Sequence, residues 1–411
     1  GTDLLLDGTA IGGGGGTALE LYAENPVSAV SPSATGTNAV AIGYNANAGG
    51  SSSFVAGLSA TDNSNQDAVV IGRFASASAS ETVAIGEQSD ANGVRSVALG
   101  YLADANGSRS IAIGEDPTAF SQYSIAIGSG VQANSDYSTA IGYGSGGSKP
   151  AKSQGAGAMA LGGSYASGTD SFAAAIANNT SSYGATGNNS VAIGFGVTGS
   201  RSTSIRSLSF MGGVSSSFDA VAIGRGSTAS GALSFAQGYG SNATATYSLA
   251  IGTYAKSEIQ GKFAFASYGS FSDSLSATGE AQVGIVVLRS DTTDATPEAL
   301  TTDNSTAGTT NQIILPNNSA YAFHGTIVAR QQASAGTACA AWKVEGLIRR
   351  EGSAGTTVLV NSATTVLDNT PAWGMALSAD TTNGGLKIEV TGAAATNIRF
   401  VATIHTSEVT Y

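Results

Sequence analysis

The chain has 411 residues, a formal net charge of −11 and a pI near 4.6, and only 11% of its residues are charged. That acidity speaks against a nucleic-acid partner, whose phosphates need a basic footprint. Scarce proline and low charge argue against disorder, and a single cysteine, Cys339, rules out an intrachain disulfide.

Residues 1–35 hold Leu4-Leu5-Leu6, five glycines from Gly12 to Gly16, and Leu19-Glu20-Leu21-Tyr22. They read as a strand, a flexible run and a second strand, an N-terminal attachment segment. No secretory signal opens the sequence, and Gly1 stands where Met is usual, as in a processed or truncated piece. No apolar run reaches the length of a membrane helix.

The repeat shaft is assigned to residues 36–279. From Val70-Ile71-Gly72 the same phrase returns every 14 residues as Ala84-Ile85-Gly86, Ala98-Leu99-Gly100, Ala112-Ile113-Gly114, Ala126-Ile127-Gly128 and Ala140-Ile141-Gly142. A fixed step of this kind means small units stacked into a solenoid. After Gly142 the spacing loosens, which predicts insertions at 144–154, 176–189 and 200–217. Strict spacing resumes at Gly224, Gly238, Gly252 and Ala266. At ~4.8 Å per strand step, about 16 coils make a rod roughly 75 Å long.

Alternation fixes which side chains share a face. In Ser124-Ile125-Ala126-Ile127-Gly128 the two isoleucines point to one side and Ala126 to the other. Each coil is then two short strands and two turns, a tube too thin to enclose its own aliphatic rows. Leaving those rows in water forfeits ~25 cal/mol per Å². The ladder Ile71, Ile85, Leu99, Ile113, Ile127, Ile141, Ile193, Ile223 and Ile251 is therefore expected to be buried against copies of the chain. Threefold closure suits a fibre, and twofold closure satisfies the same argument.

From 280 to 411 the strands lengthen. Leu386/Ile388/Val390 and Ile398/Phe400/Ala402/Ile404 alternate cleanly with polar neighbours, which predicts an antiparallel β-sandwich or jelly-roll tip. No helical period appears, so the whole chain reads as all-β.

Catalytic chemistry is sparse. His324 and His405 lie in separate strands without a nucleophile motif, and a lone histidine is a poor metal site. Glu115-Asp116 and the Glu87/Asp90 pair could suggest glycosidase carboxylates, but they fall in turns where solvated acids are ordinary. Gly142–Gly147 followed by Ser148-Lys149 has neither the spacing nor the helix of a phosphate loop. No enzyme, metal or cofactor is expected. Aromatics follow the repeat glycine at Tyr44, Tyr101, Tyr143, Phe195 and Tyr239, with Phe74 and Tyr254 one place later. They either form a stripe for stacking sugar rings or cover the coil edges. Trp342 and Trp373 read as core. Lys149, Lys152, Tyr183, Arg201 and Arg206, on the inserted loops, are the candidate receptor-binding residues.

The units Ser96-Val97-Ala98-Leu99-Gly100 and Ser190-Val191-Ala192-Ile193-Gly194 resemble the head repeat of the YadA-like trimeric autotransporter adhesins. That resemblance implies a trimeric, left-handed parallel β-roll. Adhesins of that family continue into a coiled-coil stalk and a β-barrel anchor, and this chain shows no heptads. The run Gly284-Ile285-Val286-Val287-Leu288-Arg289 is similar in style to terminal modules of bacteriophage tail fibres. The expectation is a virion fibre or spike that recognises a bacterial surface glycan or protein and attaches to tail or baseplate proteins, without membrane insertion. Alternatives are the head of a bacterial adhesin binding extracellular matrix at the cell surface, and a polysaccharide-depolymerising tailspike.

Overall fold

Alanine decides how the repeat folds. In a computed structural model of the chain, Ala84, Ala98, Ala112, Ala126 and Ala140 are each fully buried, and the Val, Ile and Leu residues on either side of them face outward. Many of the second strands bury alanines too, as at Ala91, Ala105, Ala119 and Ala133, and others bury serines, as at Ser153, Ser202, Ser215 and Ser257. Small side chains suit two sheets this close, so the interior is mostly alanine and serine, with Val55, Val70, Val131 and Ile176 as larger members.

The structure describes residues 30–143, 150–176, 182–194, 199–272, 274–275, 277–332 and 338–411. Nearer the N-terminus it gives the backbone of Leu5–Leu6, Thr9–Ala10 and Leu19–Leu21. The run Gly12–Gly16 of the expected attachment segment lies outside the described residues. Contacts divide the chain into two compact units, residues 1–199 and 200–411.

Among the described residues the fold is all-β, with parallel β-solenoid coils in each unit, about 16 in all, and a C-terminal antiparallel sheet in the second. In the first unit one row of parallel strands includes Val69–Ile71, Val83–Ile85, Val97–Leu99, Ile111–Ile113, Ile125–Ile127 and Thr139–Ile141. Their register is strict, Ala84 opposite Ala98 and Ala98 opposite Ala112. A second row carries the shorter strands, such as Asp90–Ala91 beside Asp104–Ala105. The repeat glycine is required at the corner. Gly100 has φ +132°, and a Cβ there would lie 1.8 Å from the carbonyl oxygen of Gly114.

In the second unit the expected loop at 200–217 is instead regular roll. Arg201–Ser202 pairs with Val214–Ser215, and Leu208–Phe210 with Val221–Ile223. The offset there is 13 residues, Arg201 to Val214 and Leu208 to Val221, so the two residues in excess of 28 between Gly194 and Gly224 arise before Leu208, which stands 17 after Val191.

The last roll strand, Phe263–Ala266, pairs antiparallel with Ala281–Thr292, so roll and terminal sheet share hydrogen bonds. The terminal strands are numbered from there: β1 (Ala281–Thr292), β2 (Pro297–Ala299), β3 (Ile313–Ile314), β4 (Ser319–Gln331), β5 (Cys339–Arg350), β6 (Val358–Asp368), β7 (Gly374–Asp380), β8 (Gly385–Thr391) and β9 (Ile398–Thr410). The large sheet runs β1-β9-β4-β5-β6. The smaller one places β8 between β7 on one side and β2 and β3 on the other. Their facing sides enclose Leu288, Ile327, Trp342, Trp373, Ile388 and Phe400, the core of a sandwich. Both tryptophans sit there, packed on Phe400.

Candidate functional site

The described coils of the roll turn their corners through residues in the left-handed region, and in the first unit several of these are large L-residues. Glu81, Arg95, Arg109, Tyr123 and Tyr137 all have φ between 56° and 62°. An L-residue there costs roughly 1 kcal/mol, which tertiary structure must offset. Spaced by 14, they project from the same corner of successive coils and form one exposed column. Arg95 grips Glu81 with two hydrogen bonds, 2.6 and 3.1 Å. Arg109 Nη1 donates to Tyr123 Oη at 2.8 Å, and the Tyr123 and Tyr137 rings stack at 4.9 Å with 5° between planes. Arg109 forms no carboxylate ion pair among the described residues. A guanidinium beside two parallel phenols suits a sugar ring and an anionic substituent. The sequence carries the signal, an Arg-Arg-Tyr-Tyr series at the repeat step, but alignment on the residues that follow the glycine passes it by.

Those residues divide. Phe74, Tyr101 and Tyr143 are exposed, whereas Tyr254 is buried and meets Tyr239 and Tyr268 edge-on. Phe195 lies outside the described residues.

The ladder expected at a trimer core lies on the outward face. Ile71, Ile85, Leu99, Ile113, Ile127 and Ile141 stand in register, each partly exposed. Leu161 and Ala174 separate Ile141 from Ile193, and Gln237 separates Ile223 from Ile251.

Within each unit the described candidate receptor-binding residues lie on roll strands and corners. Lys149 lies outside the described residues. Lys152 is in a roll strand, opposite Gln132 and Tyr165, and Tyr183 leans on the alanine core. In the second unit Arg201 is an exposed strand residue. Arg206 occupies the left-handed corner, forms a bidentate pair with Asp219 at 2.7 and 2.9 Å, and lies 4.2 Å from the Phe218 ring centre. That hydrogen bond holds the Asp219 carboxyl below its usual range. Lys152, Arg201 and Arg206 are thus roll residues, not tips of insertions.

The histidines are corrected as well. His324 and His405 are cross-strand partners on the outer face of the large sheet, ring centres 5.2 Å apart. Separation along the chain concealed this pairing, and only the register of β4 against β9 reveals it.

The acids show little sign of a catalytic pair. Glu87 is bound to Arg73 and Glu115-Asp116 is exposed. Asp90 is pushed up, by burial first and then by facing Asp104. A cleft of about 440 Å³ in the second unit is lined by Lys256, Lys262, Gln282, Tyr321 and Arg350. Its lysines are occupied, Lys256 by Glu258 and Lys262 by Glu408. Burial, then the charge of Glu408, raises the Tyr321 phenol well above its usual range. Among the described residues no three His, Cys, Asp or Glu side chains cluster as a metal site, and no helix is long and apolar enough to cross a membrane.

The family model of the YadA head domain repeat matches residues 34–60, 64–89, 91–115, 118–145, 184–196, 215–232 and 229–255. Among solved structures, the tailspike protein gp49 of Acinetobacter baumannii bacteriophage Fri1, a capsular polysaccharide depolymerase, is 10% identical. The alignment covers 90% of this chain and 69% of that one, with a TM-score of 0.22. The tailspike of Acinetobacter phage vB_ApiP_P1 is 12% identical over 92% and 70% of the two chains, with a TM-score of 0.18. TM-scores so low do not establish a shared fold. No curated protein matches the chain.

Proposed function

From a chain that carries YadA head domain repeats between residues 34 and 255, we propose a homotrimeric fibre or spike of a virion that binds a bacterial surface glycan. The observation that carries this reading is the cross-section of the coil. Alanine fills the inside and the aliphatic rows lie outside, so a single copy leaves its largest apolar surface in water. Copies wrapped about an axis cover those rows and leave the corners facing outward, including Arg109, Tyr123 and Tyr137. A binding function is supported by Glu87 held to Arg73, by the exposure of Glu115 and Asp116, and by Asp90 facing Asp104.

A second reading, the head of a bacterial trimeric adhesin, draws on the same repeats. Against it, the last roll strand passes into an antiparallel sandwich where such adhesins have a coiled-coil stalk.

The test is sedimentation of the full chain followed by binding to a panel of bacterial envelope glycans. A trimer that retains a glycan supports the proposal. A well-behaved monomer in dilute buffer, or a trimer that ignores every envelope, overturns it. Shortened polysaccharide products would show an enzyme instead.

A further inference from the structure

The outward rows of the roll do not stop where the roll stops. Within the second unit Leu249 is opposite Phe263, Phe263 opposite Ile285, Ile285 opposite His405, His405 opposite His324, and His324 opposite Glu345. The neighbouring row runs Ile251, Phe265, Val283, Ser407, Ala322 and Leu347. One hydrogen-bonded surface therefore carries the aliphatic exterior of the roll onto the outer face of the terminal sheet.

That face carries exposed aliphatic side chains among polar ones such as Thr403, His405 and Thr326. Val283, Val287, Val328, Val401 and Val409 are each at least 40% exposed on it. Val328 and Val401 are cross-strand partners on the adjacent strands β4 and β9, with Arg289 of β1 opposite Val401. Its charged groups are Arg289, Asp291, Arg330 and Arg399 toward one end and Lys343, Glu345 and Arg349 on β5, with Asp291 paired to Arg399 and Lys343 to Glu345. Edge strand β6 is stranger still. It pairs with β5 along its length, yet none of its residues from Val358 to Asp368 is buried, and Val360, Val366 and Leu367 are 48–60% exposed. A long, apolar edge strand is a template for association unless something covers it.

We infer that the outer face of the terminal sheet, from β1 to β6, is an interface between copies of this chain. The occupant follows from continuity. If copies meet along the exterior of the roll, the same register brings them together over β1, β9 and β4, and each β6 reaches onto a neighbour. The inference rests on the proposed homotrimer but extends the contact to a surface outside the repeats.

The test uses the full chain and two readouts. The Val328→Glu/Val401→Glu double variant changes only exposed positions, so each copy keeps its fold. Sedimentation reports assembly, and hydrogen exchange reports on residues 358–368. The expected result is protection of β6 that rises with protein concentration and falls roughly tenfold in the double variant. A nitroxide on Cys339, an exposed residue of β5 on this face, should show coupling between copies that the double variant abolishes. Assembled wild type with an unprotected β6 and no coupling would overturn the interface and leave the homotrimer standing. A monomeric wild type would remove both. Protection appearing only when a glycan is added would assign the face to a ligand and overturn the inference.

Discussion

Lys262, the residue before the last roll strand, places its Nζ 2.6 Å from Oε1 of Glu408 on β9, and both side chains are at least 97% buried. Glu408 also accepts from Gln282 Nε2 at 2.7 Å and from Thr406 Oγ1 at 2.6 Å. The pair bridges 146 residues of sequence and ties the end of the roll to the closing strand of the sandwich.

Breaking that pair is expected to cost more than replacing it. Lys262→Met leaves a buried carboxylate without its cation, a loss of about 3–5 kcal/mol. The Lys262→Met/Glu408→Leu double variant should recover most of it, because no uncompensated charge remains. Calorimetric unfolding decides. If the double variant is as unstable as the single, the charge is not what destabilises Lys262→Met.

The repeat glycines should differ sharply from others. Gly100→Ala drives a Cβ into the Gly114 carbonyl and is expected to prevent folding of the first unit. Gly261, at φ +70° with nothing within 4 Å, should tolerate alanine for about 1 kcal/mol. Soluble yield and melting temperature of the two variants would show the contrast. Equal tolerance would refute the steric account.

Asp90 gives a pH prediction. Its folded pKa lies above the unfolded one, because burial and facing Asp104 disfavour the carboxylate. The protonated form therefore stabilises the fold at low pH, and this contribution is lost as pH rises through the folded pKa. At neutral pH the charge is a net cost. Asp90→Asn should raise the melting temperature at pH 7 by about 1 °C or more, a gain that disappears below the carboxylate range. A variant less stable than wild type at pH 7 would contradict the sign.

The tyrosine column should matter for ligand and not for folding. Tyr123→Ala/Tyr137→Ala removes two exposed rings, so the melting temperature should hold while glycan affinity falls roughly tenfold, the worth of a pair of stacking contacts. Arg109→Ala should weaken acidic glycans more than neutral ones. Unchanged affinity in both variants would place the receptor elsewhere.

The roll is largely legible in the residues themselves. Ala126 between Ile125 and Ile127 states which side is inside, and the step of 14 states what lies above what. The column at Arg109, Tyr123 and Tyr137 is legible too, once residues are aligned by phase and not by chemistry. The coils at 200–217 are not, because a long step of 17 from Val191 to Leu208 and a short one of 13 from Leu208 to Val221 hide the period of 14. The sandwich is readable as alternation. His324 and His405 look solitary in the sequence, because strands far apart along the chain must pair before the two rings meet.

The sequence by itself determined the repeat, its alanine interior and its aliphatic exterior, since nearest-neighbour stacking at a fixed step needs no information beyond the step. Only the tertiary structure decided that Lys262 meets Glu408, that the histidines stack, and that the roll's outward rows run on across the terminal sheet. Antiparallel pairing is set by register and strand order, and a shift of one residue would turn every side chain to the opposite face. Local pattern does not encode that choice; the packed core does.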